Sequence, residues 1–211
     1  MTKEFSMFEL FQPFDETAQL AIQSGWHNPL IDTLMKIISV ANDHGEIWFA
    51  AIIALLLFKK TRKCGIALFF SLGIIFLLNQ FVLKLLFERP RPYNVLTQFE
   101  PLLPRLKSFS FPSGHSITSF GSAVSLTISE THYNIWDPEK NFVKRHRLGI
   151  IALITAALIA FSRVYLFMHW PTDVIGGAII AGLLATLITL GFFKLEAIVI
   201  ARRSAKGENP Q

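Results

Sequence analysis

The chain has 211 residues, 52% of them hydrophobic and only 17% charged, with 20 Phe and a mean hydropathy of +0.44. Soluble domains usually carry about 25% charged residues, so this composition counts against a secreted, disordered or nucleic-acid-binding protein despite a net charge of +5. It points to a chain that uses lipid as solvent.

Residues 1–44 show no basic stretch leading into an apolar run and a small-residue cleavage site, so no signal peptide is expected. Stretches 7–14 and 29–40 are too short to span a bilayer. Within 15–22 and 30–40, apolar residues recur at helical spacing between polar ones, which predicts short interfacial helices. We read 1–44 as an extracytoplasmic interfacial segment, 45–200 as the membrane domain and 201–211 as a cytoplasmic polar tail.

Five apolar runs follow. Residues 45–58 are apolar apart from Glu46, and 64–83 carry no charge. Residues 116–129 are uncharged but rich in Ser, Thr and Gly, while 148–161 and 174–193 are again cleanly apolar. About 20 helical residues cross a bilayer core; the second and fifth runs reach that length, and the others reach it with their polar flanks. The expectation is five transmembrane helices at about 45–60, 64–87, 115–130, 147–167 and 172–195. Irregular backbone is not tolerated against lipid, so the fold is predicted to be an all-α integral membrane bundle.

Basic residues set the orientation. Lys59, Lys60, Arg62 and Lys63 follow the first run, Lys140, Lys144, Arg145 and Arg147 the third, and Lys194, Arg202, Arg203 and Lys206 the fifth. All three segments fall on one side, which the positive-inside rule makes the cytoplasm. The first 46 residues carry seven acids against Lys3 and Lys36, as suits the outer face. The basic balance thus reflects topology. Cys64, the only cysteine, cannot form a disulfide within the chain and belongs to no metal-ligand set.

Polar residues gather at the outer helix ends in three clusters. Lys84, Arg89 and Arg91 lie in KLLFERPRPY, where each Arg precedes a proline and is pushed out of the helical region. Such cations suit a phosphate, bidentate for guanidinium and as a point charge for ammonium, although snorkelling to the interface is an alternative. Pro112-Ser113-Gly114-His115 opens the third span, and the free N–H groups of a helix start favour an anion; a plain Ser cap with an incidental His is the alternative. Ser162-Arg163, His169 and Asp173 join the last two spans, with Pro171 at a helix start. Asp173 in that first turn is close enough to hold one nitrogen of His169, fixing its tautomer and sharpening the other as nucleophile or base. The alternative is a capping Asp beside an interfacial His.

Together the clusters bring cations, a helix N-terminus, two histidines and one aspartate to one face. This combination fits transfer of a phosphoryl group, with one His attacking phosphorus and the other protonating the leaving oxygen. Asp173 is the only carboxylate in the clusters and is committed to His169, so protein cations are expected to neutralise the charge without metal.

The three motifs resemble the signature of the type 2 phosphatidic acid phosphatase (PAP2) family, K-x6-R-P, P-S-G-H and S-R-x5-H-x3-D. Lys84 with Arg91-Pro92, then 112–115, then Ser162, Arg163, His169 and Asp173 match it without departure, over residues 84–173. The resemblance implies that His169 is the nucleophile, oriented by Asp173, and that His115 protonates the leaving group and then activates water. It implies that Lys84, Arg91, Ser113, Gly114 and Arg163 hold the phosphate. No metal site and no cofactor are implied. Arg89 lies outside the signature as a secondary contact, and His27, His44, His132 and His146 read as surface or interface residues.

A short chain with an outward site most resembles the undecaprenyl diphosphate phosphatases of this family, in a bacterial cytoplasmic membrane. Phosphatases of phosphatidylglycerophosphate, phosphatidic acid and lipid A carry the same signature. The 92–111 loop, with Phe99, Leu102, Leu103, Phe109 and Phe111, lines the lipid access or merely dips into the interface. Vanadium haloperoxidases share the signature but are soluble and much longer. A phosphate-holding transporter or binding protein would not need the His169–Asp173 pair.

Overall fold

The structure, a computed structural model, describes residues 7–136, 139 and 141–206. Lys3 of the outer segment, Lys140 of the basic loop and residues 207–211 of the polar tail lie outside the described residues. Every regular element among the described residues is helical. A 3₁₀ turn at Met7–Leu10 leads into α1 (Gln12–Gly25), α2 (Pro29–Val40), α3 (Glu46–Leu57) and α4 (Arg62–Leu78). A π-helical turn, Asn79–Leu83, carries α4 into α5 (Lys84–Phe87), and α6 (Pro92–Val95) follows. The chain ends in α7 (Gly114–His132), α8 (Phe142–Arg145), α9 (Arg147–Tyr165) and α10 (Pro171–Ala205).

Among the described residues, three stretches are long and apolar enough to cross a membrane: Arg62–Val95, Arg147–Tyr165 and Pro171–Ala205. The first is not straight to its end, because Glu88 adopts φ 41° and the Arg-Pro-Arg-Pro run cannot continue the helix. α3 is apolar but has 12 residues. α7 is 19 residues long and differs in kind from its neighbours. It buries Ser116, Ser119, Ser122, Ser125 and Ser129 and packs against α4, α9 and α10 at the centre of the bundle.

Small side chains make that central position workable, since close helix approach in lipid depends on them. Gly121 faces Ile75 of α4, and Gly149 of α9 faces Thr127 and Glu130. Hydroxyls add bonds between helices: Ser116 donates to Val174 O at 2.7 Å and Thr189 to Ser125 Oγ at 2.9 Å. The outer faces of α4, α9 and α10 expose Phe69, Phe76, Ile154, Leu158, Leu183 and Leu187, a surface suited to acyl chains. α10 runs to Ala205, beyond the expected end near residue 195, and carries Arg202 and Arg203 in its last turn.

The basic residues collect at the end where α4 and α9 begin. Lys63 pairs with Glu196 at 2.9 Å, and Lys60 and Arg147 lie against the Trp136 ring. Buried Glu130 accepts from Gly149 N at 2.8 Å and Leu148 N at 3.2 Å, satisfying free donors of the α9 N-terminus.

The N-terminal helices form where expected, but α1 turns an unexpected face inward. Asp15, Gln19 and Ile22 are buried at i, i+4 and i+7, while Phe14 and Leu20 face outward. A carboxylate and an amide lead that inward stripe because α1 lies on the polar connection between α9 and α10. Gln19 Nε2 donates to His169 O at 2.8 Å, and Asp15 Oδ1 accepts from Thr172 N at 2.9 Å.

Candidate active site

All three sequence clusters meet at the bundle end opposite the basic residues. The π turn and α5 place Lys84. Arg91 is extended (φ −77°, ψ 156°) as the residue before Pro92, which points it back toward the bundle. Ser113 caps α7, its hydroxyl accepting from Ser116 N. After α9 the chain turns through Phe167 at φ 63°, and Met168 N and His169 N both donate to Arg163 O, at 3.0 and 3.2 Å. That closure sets His169 just ahead of the α10 start at Pro171.

Lys84, Arg91, Gly114, His115, Arg163 and His169 line one cavity of about 650 Å³. Its other walls include Phe49, Phe69, Leu72, Phe76, Leu103 and Leu106, so a cationic head sits over an apolar chamber. Of the 92–111 loop residues expected near the lipid, Leu103 lines the cavity. Phe99 and Leu102 pack into a core cluster with Tyr93 and Phe167, and Phe111 packs on Phe8 and Phe87. Ser113 and Asp173 are fully buried behind the cavity wall.

The cations are held from the same loop. Ser108 Oγ accepts from Lys84 Nζ at 3.3 Å and from Arg91 Nη2 at 3.0 Å. Arg91 also donates to Met168 O at 2.7 Å, and its Nη1 lies 3.3 Å from His169 Nε2. A guanidinium has only donors, so His169 Nε2 presents its lone pair and the proton belongs on Nδ1. Burial, followed by the charges of Arg91, Arg163, Lys84 and His115, pushes the His169 imidazole well below the ordinary histidine value.

Asp173 has more partners than its expected one. Its Oδ1 accepts from Arg89 Nη1 at 2.7 Å, and its Oδ2 accepts from Trp170 N at 2.9 Å and bonds the Ser110 hydroxyl. His169 Nδ1 stands 3.6 Å from Oδ2, a Coulombic contact longer than a hydrogen bond, and is buried without a hydrogen-bond partner. The carboxylate is drawn off the imidazole line by those three donors.

Arg89, expected as a secondary phosphate contact, does not line the cavity. It is buried, pairs with Asp15 Oδ2 at 2.6 Å as well as with Asp173, and lies against the rings of Phe8 and Trp170. The reason is local: Glu88 in the left-handed region turns the chain, so Arg89 and Arg91 leave it in different directions. The doubled Arg-Pro and the Asp15–Gln19 spacing in line with Ile22 on an amphipathic helix were the available signals. Sequence reading also missed Ser39 and Asp43. His115 Nε2 lies 3.2 Å from Ser39 O and 3.3 Å from Asp43 Oδ1, and Arg163 bonds the Ser39 hydroxyl.

His27 has a partner that its sequence neighbourhood did not suggest: Nδ1 lies 2.8 Å from Asp32, which also accepts from Tyr165. Cys64 is buried near the opposite end, and no cluster of three or more metal-type ligands occurs among the described residues.

Residues 64–197 match the PAP2 superfamily. The chain belongs to that superfamily. This PAP2 protein is 33% identical, over 149 residues, to an undecaprenyl-diphosphatase of Sulfolobus acidocaldarius, covering 70% of this chain and 65% of that one. It is 37% identical to phosphatidylglycerophosphatase B of Bacillus subtilis, covering 64% of this chain and 60% of that one. The chain thus spans a little under two thirds of these relatives' length. A crystal structure of a transmembrane PAP2 type phosphatidylglycerolphosphate phosphatase from Bacillus subtilis superposes with a TM-score of 0.69 at 28% identity, covering 88% of this chain and 87% of that one. Its several long apolar helices make it a multi-pass membrane protein.

Proposed function

We propose that this PAP2 protein removes a phosphate from a membrane lipid through a phosphohistidine, with undecaprenyl diphosphate as substrate. The observation that supports this is His169 Nε2 facing the Arg91 guanidinium at 3.3 Å, at the head of a cavity with apolar walls. Lys84, Arg91, Arg163 and the Gly114 amide hold the phosphate oxygens and balance the charge that builds in the transition state, with Ser113 behind them as the cap of α7.

In the first step His169 Nε2 bonds to phosphorus as the P–O bond to the leaving group breaks, and His115 gives that oxygen its proton. In the second, water attacks phosphorus, His115 takes the water's proton, and the P–N bond breaks to release phosphate. Asp173 steadies the charge on Nδ1 across 3.6 Å. Protein cations do the neutralisation, so turnover is expected to survive EDTA.

The reading extends to topology. With Lys60, Lys63 and Arg147 on the cytoplasmic side, the site opens to the extracytoplasmic face of a bacterial cytoplasmic membrane, and α3, α4 with α5, α7, α9 and α10 are the five spans. α1 and α2 lie in the outer interface. Phosphatidylglycerophosphate is the second substrate reading, favoured by the 37% identical relative; phosphatidic acid and lipid A are further candidates.

The test is phosphate release by the detergent-solubilised protein in excess EDTA on these four lipids. Preference for undecaprenyl diphosphate supports the carrier-lipid reading, and preference for phosphatidylglycerophosphate moves the substrate but keeps the mechanism. Vanadate, which mimics the transferring phosphoryl group, is expected to inhibit. Turnover by His169→Ala at the wild-type rate would remove the nucleophile assignment.

A further inference from the structure

His115 is held from a part of the chain that lies outside the family match at 64–197. Its Nε2 faces two acceptors and no donor: Ser39 O at the C-terminal end of α2, and Asp43 Oδ1 in the α2–α3 connection. A nitrogen between two acceptors must carry a hydrogen. The last carbonyls of a helix also carry partial negative charge, so both neighbours favour a cationic ring.

The connection is braced rather than loose. Asn42 N donates to Ser39 O at 3.1 Å, Asp43 N to Val40 O at 3.2 Å and Gly45 N to Asn42 O at 3.2 Å. Asn42 Nδ2 reaches Ser119 Oγ at 3.3 Å, anchoring the turn to α7 one helical turn below His115. Asp43 lines the cavity, and its hydrogen bond to His115 holds its carboxyl below the usual carboxylate value.

We propose that Asp43 is the positioning residue of the leaving-group acid, holding the His115 ring by Nε2 and offsetting the cost of the charge that the ring must carry to protonate the leaving oxygen. The site then contains two His–carboxylate pairs with opposite tasks. Around His169, burial and then three cations keep the ring neutral for attack. Around His115, the charges that face it are Asp43 from the α2–α3 turn, Arg163 from α9, and Lys84, Arg91 and His169 across the cavity, and Asp43 is the carboxylate among them.

The balance is simple. His169 Nε2 bonds to phosphorus, the P–O electron pair leaves with the oxygen, and that oxygen takes a proton from the His115 imidazolium, which becomes neutral while its Nε2–H stays on Asp43. Water attack reverses the transfer and restores the imidazolium.

This inference rests on the phosphatase reading above, and its test separates the two. The full-length protein in detergent, as wild type, Asp43→Asn, Asp43→Glu and His169→Ala, is assayed against pH on phosphatidic acid, whose alkoxide must be protonated, and on p-nitrophenyl phosphate, whose phenolate needs little help. Asp43→Asn is expected to lower the ratio of lipid to aryl turnover by about tenfold or more. It is also expected to move the basic limb of lipid kcat/KM to lower pH by about one unit, and Asp43→Glu to restore much of both. An equal loss on both substrates, or an unmoved basic limb, would overturn the role of Asp43 while leaving the phosphatase reading intact. Wild-type protein that hydrolyses neither substrate, nor any of the four lipids, would overturn the reading beneath it.

Discussion

Arg89 donates to Asp173 at 2.7 Å, and its other terminal nitrogen reaches Asp15 at 2.6 Å. One buried guanidinium therefore ties the N-terminal helix to the carboxylate behind the candidate nucleophile. Both acids are fully buried, so deleting the cation leaves two carboxylates uncompensated. Removing one partner of a buried pair costs about 3–5 kcal/mol. Arg89→Ala is expected to lower the unfolding temperature in detergent sharply, with loss of turnover following from lost structure. An unchanged unfolding temperature would mean that water replaces the guanidinium.

The contact of Arg91 with His169 Nε2 sets a pH dependence. The free imidazole is displaced well below the ordinary histidine value by burial and by Arg91, Arg163, Lys84 and His115, with Asp173 at 3.6 Å opposing them. A depressed value means that His169 stays neutral, hence nucleophilic, as the pH falls through the ordinary range. The acid limb of kcat/KM is therefore expected clearly below about pH 6.5. An acid limb at or above that value would show that His169 is protonated in the free enzyme.

The two histidines should respond differently to removal. His169→Ala deletes the atom that bonds phosphorus and is expected to cost at least about 10³-fold in kcat on every substrate. His115→Ala is expected to cost about 10²–10⁴-fold on an alkyl phosphate and less on an aryl phosphate. Radiolabelled phosphate trapped on wild type but not on His169→Ala, after acid-free quench, would identify the phosphohistidine directly.

Packing around α7 leaves no room at Gly149. A Cβ there would lie 2.3 Å from Thr127 Oγ1 and 2.8 Å from Glu130 Oε1. Glu130 cannot move without leaving the N–H groups of Leu148 and Gly149. Overpacking of this kind costs about 1–3 kcal/mol. Gly149→Ala is expected to lower the unfolding temperature while leaving the pH profile of the remaining activity unchanged, a pairing that thermal melts and kinetics can check together.

Much of the site was legible because its chemistry repeats at short spacing. Lys84 to Arg91, the Ser113-Gly114-His115 run and Arg163 to Asp173 each place their residues within one helix end or turn, and the structure brings Lys84, Arg91, Gly114, His115, Arg163 and His169 to one cavity with Ser113 and Asp173 behind its wall. Arg89 was not legible, since only the left-handed turn at Glu88 sends it away from the cavity that Arg91 enters. Ser39 and Asp43 were not legible either: they are ordinary helix-end residues until α2 is laid against α7 and α9.

The sequence by itself determined that the chain is helical and membrane-embedded, which polar residues gather at the outer helix ends, and which helix ends bear the basic charge. Apolar run length, proline placement and charge asymmetry are properties of neighbours along the chain, and they act before any helix meets another. Only the tertiary structure decided that the Ser-rich α7 lies at the centre, that α1 turns Asp15 and Gln19 inward, and that Asp173 answers to Arg89 more closely than to His169. Those outcomes depend on which helix faces can approach closely and on where a buried charge finds its partner, and both are set by residues far apart in the chain.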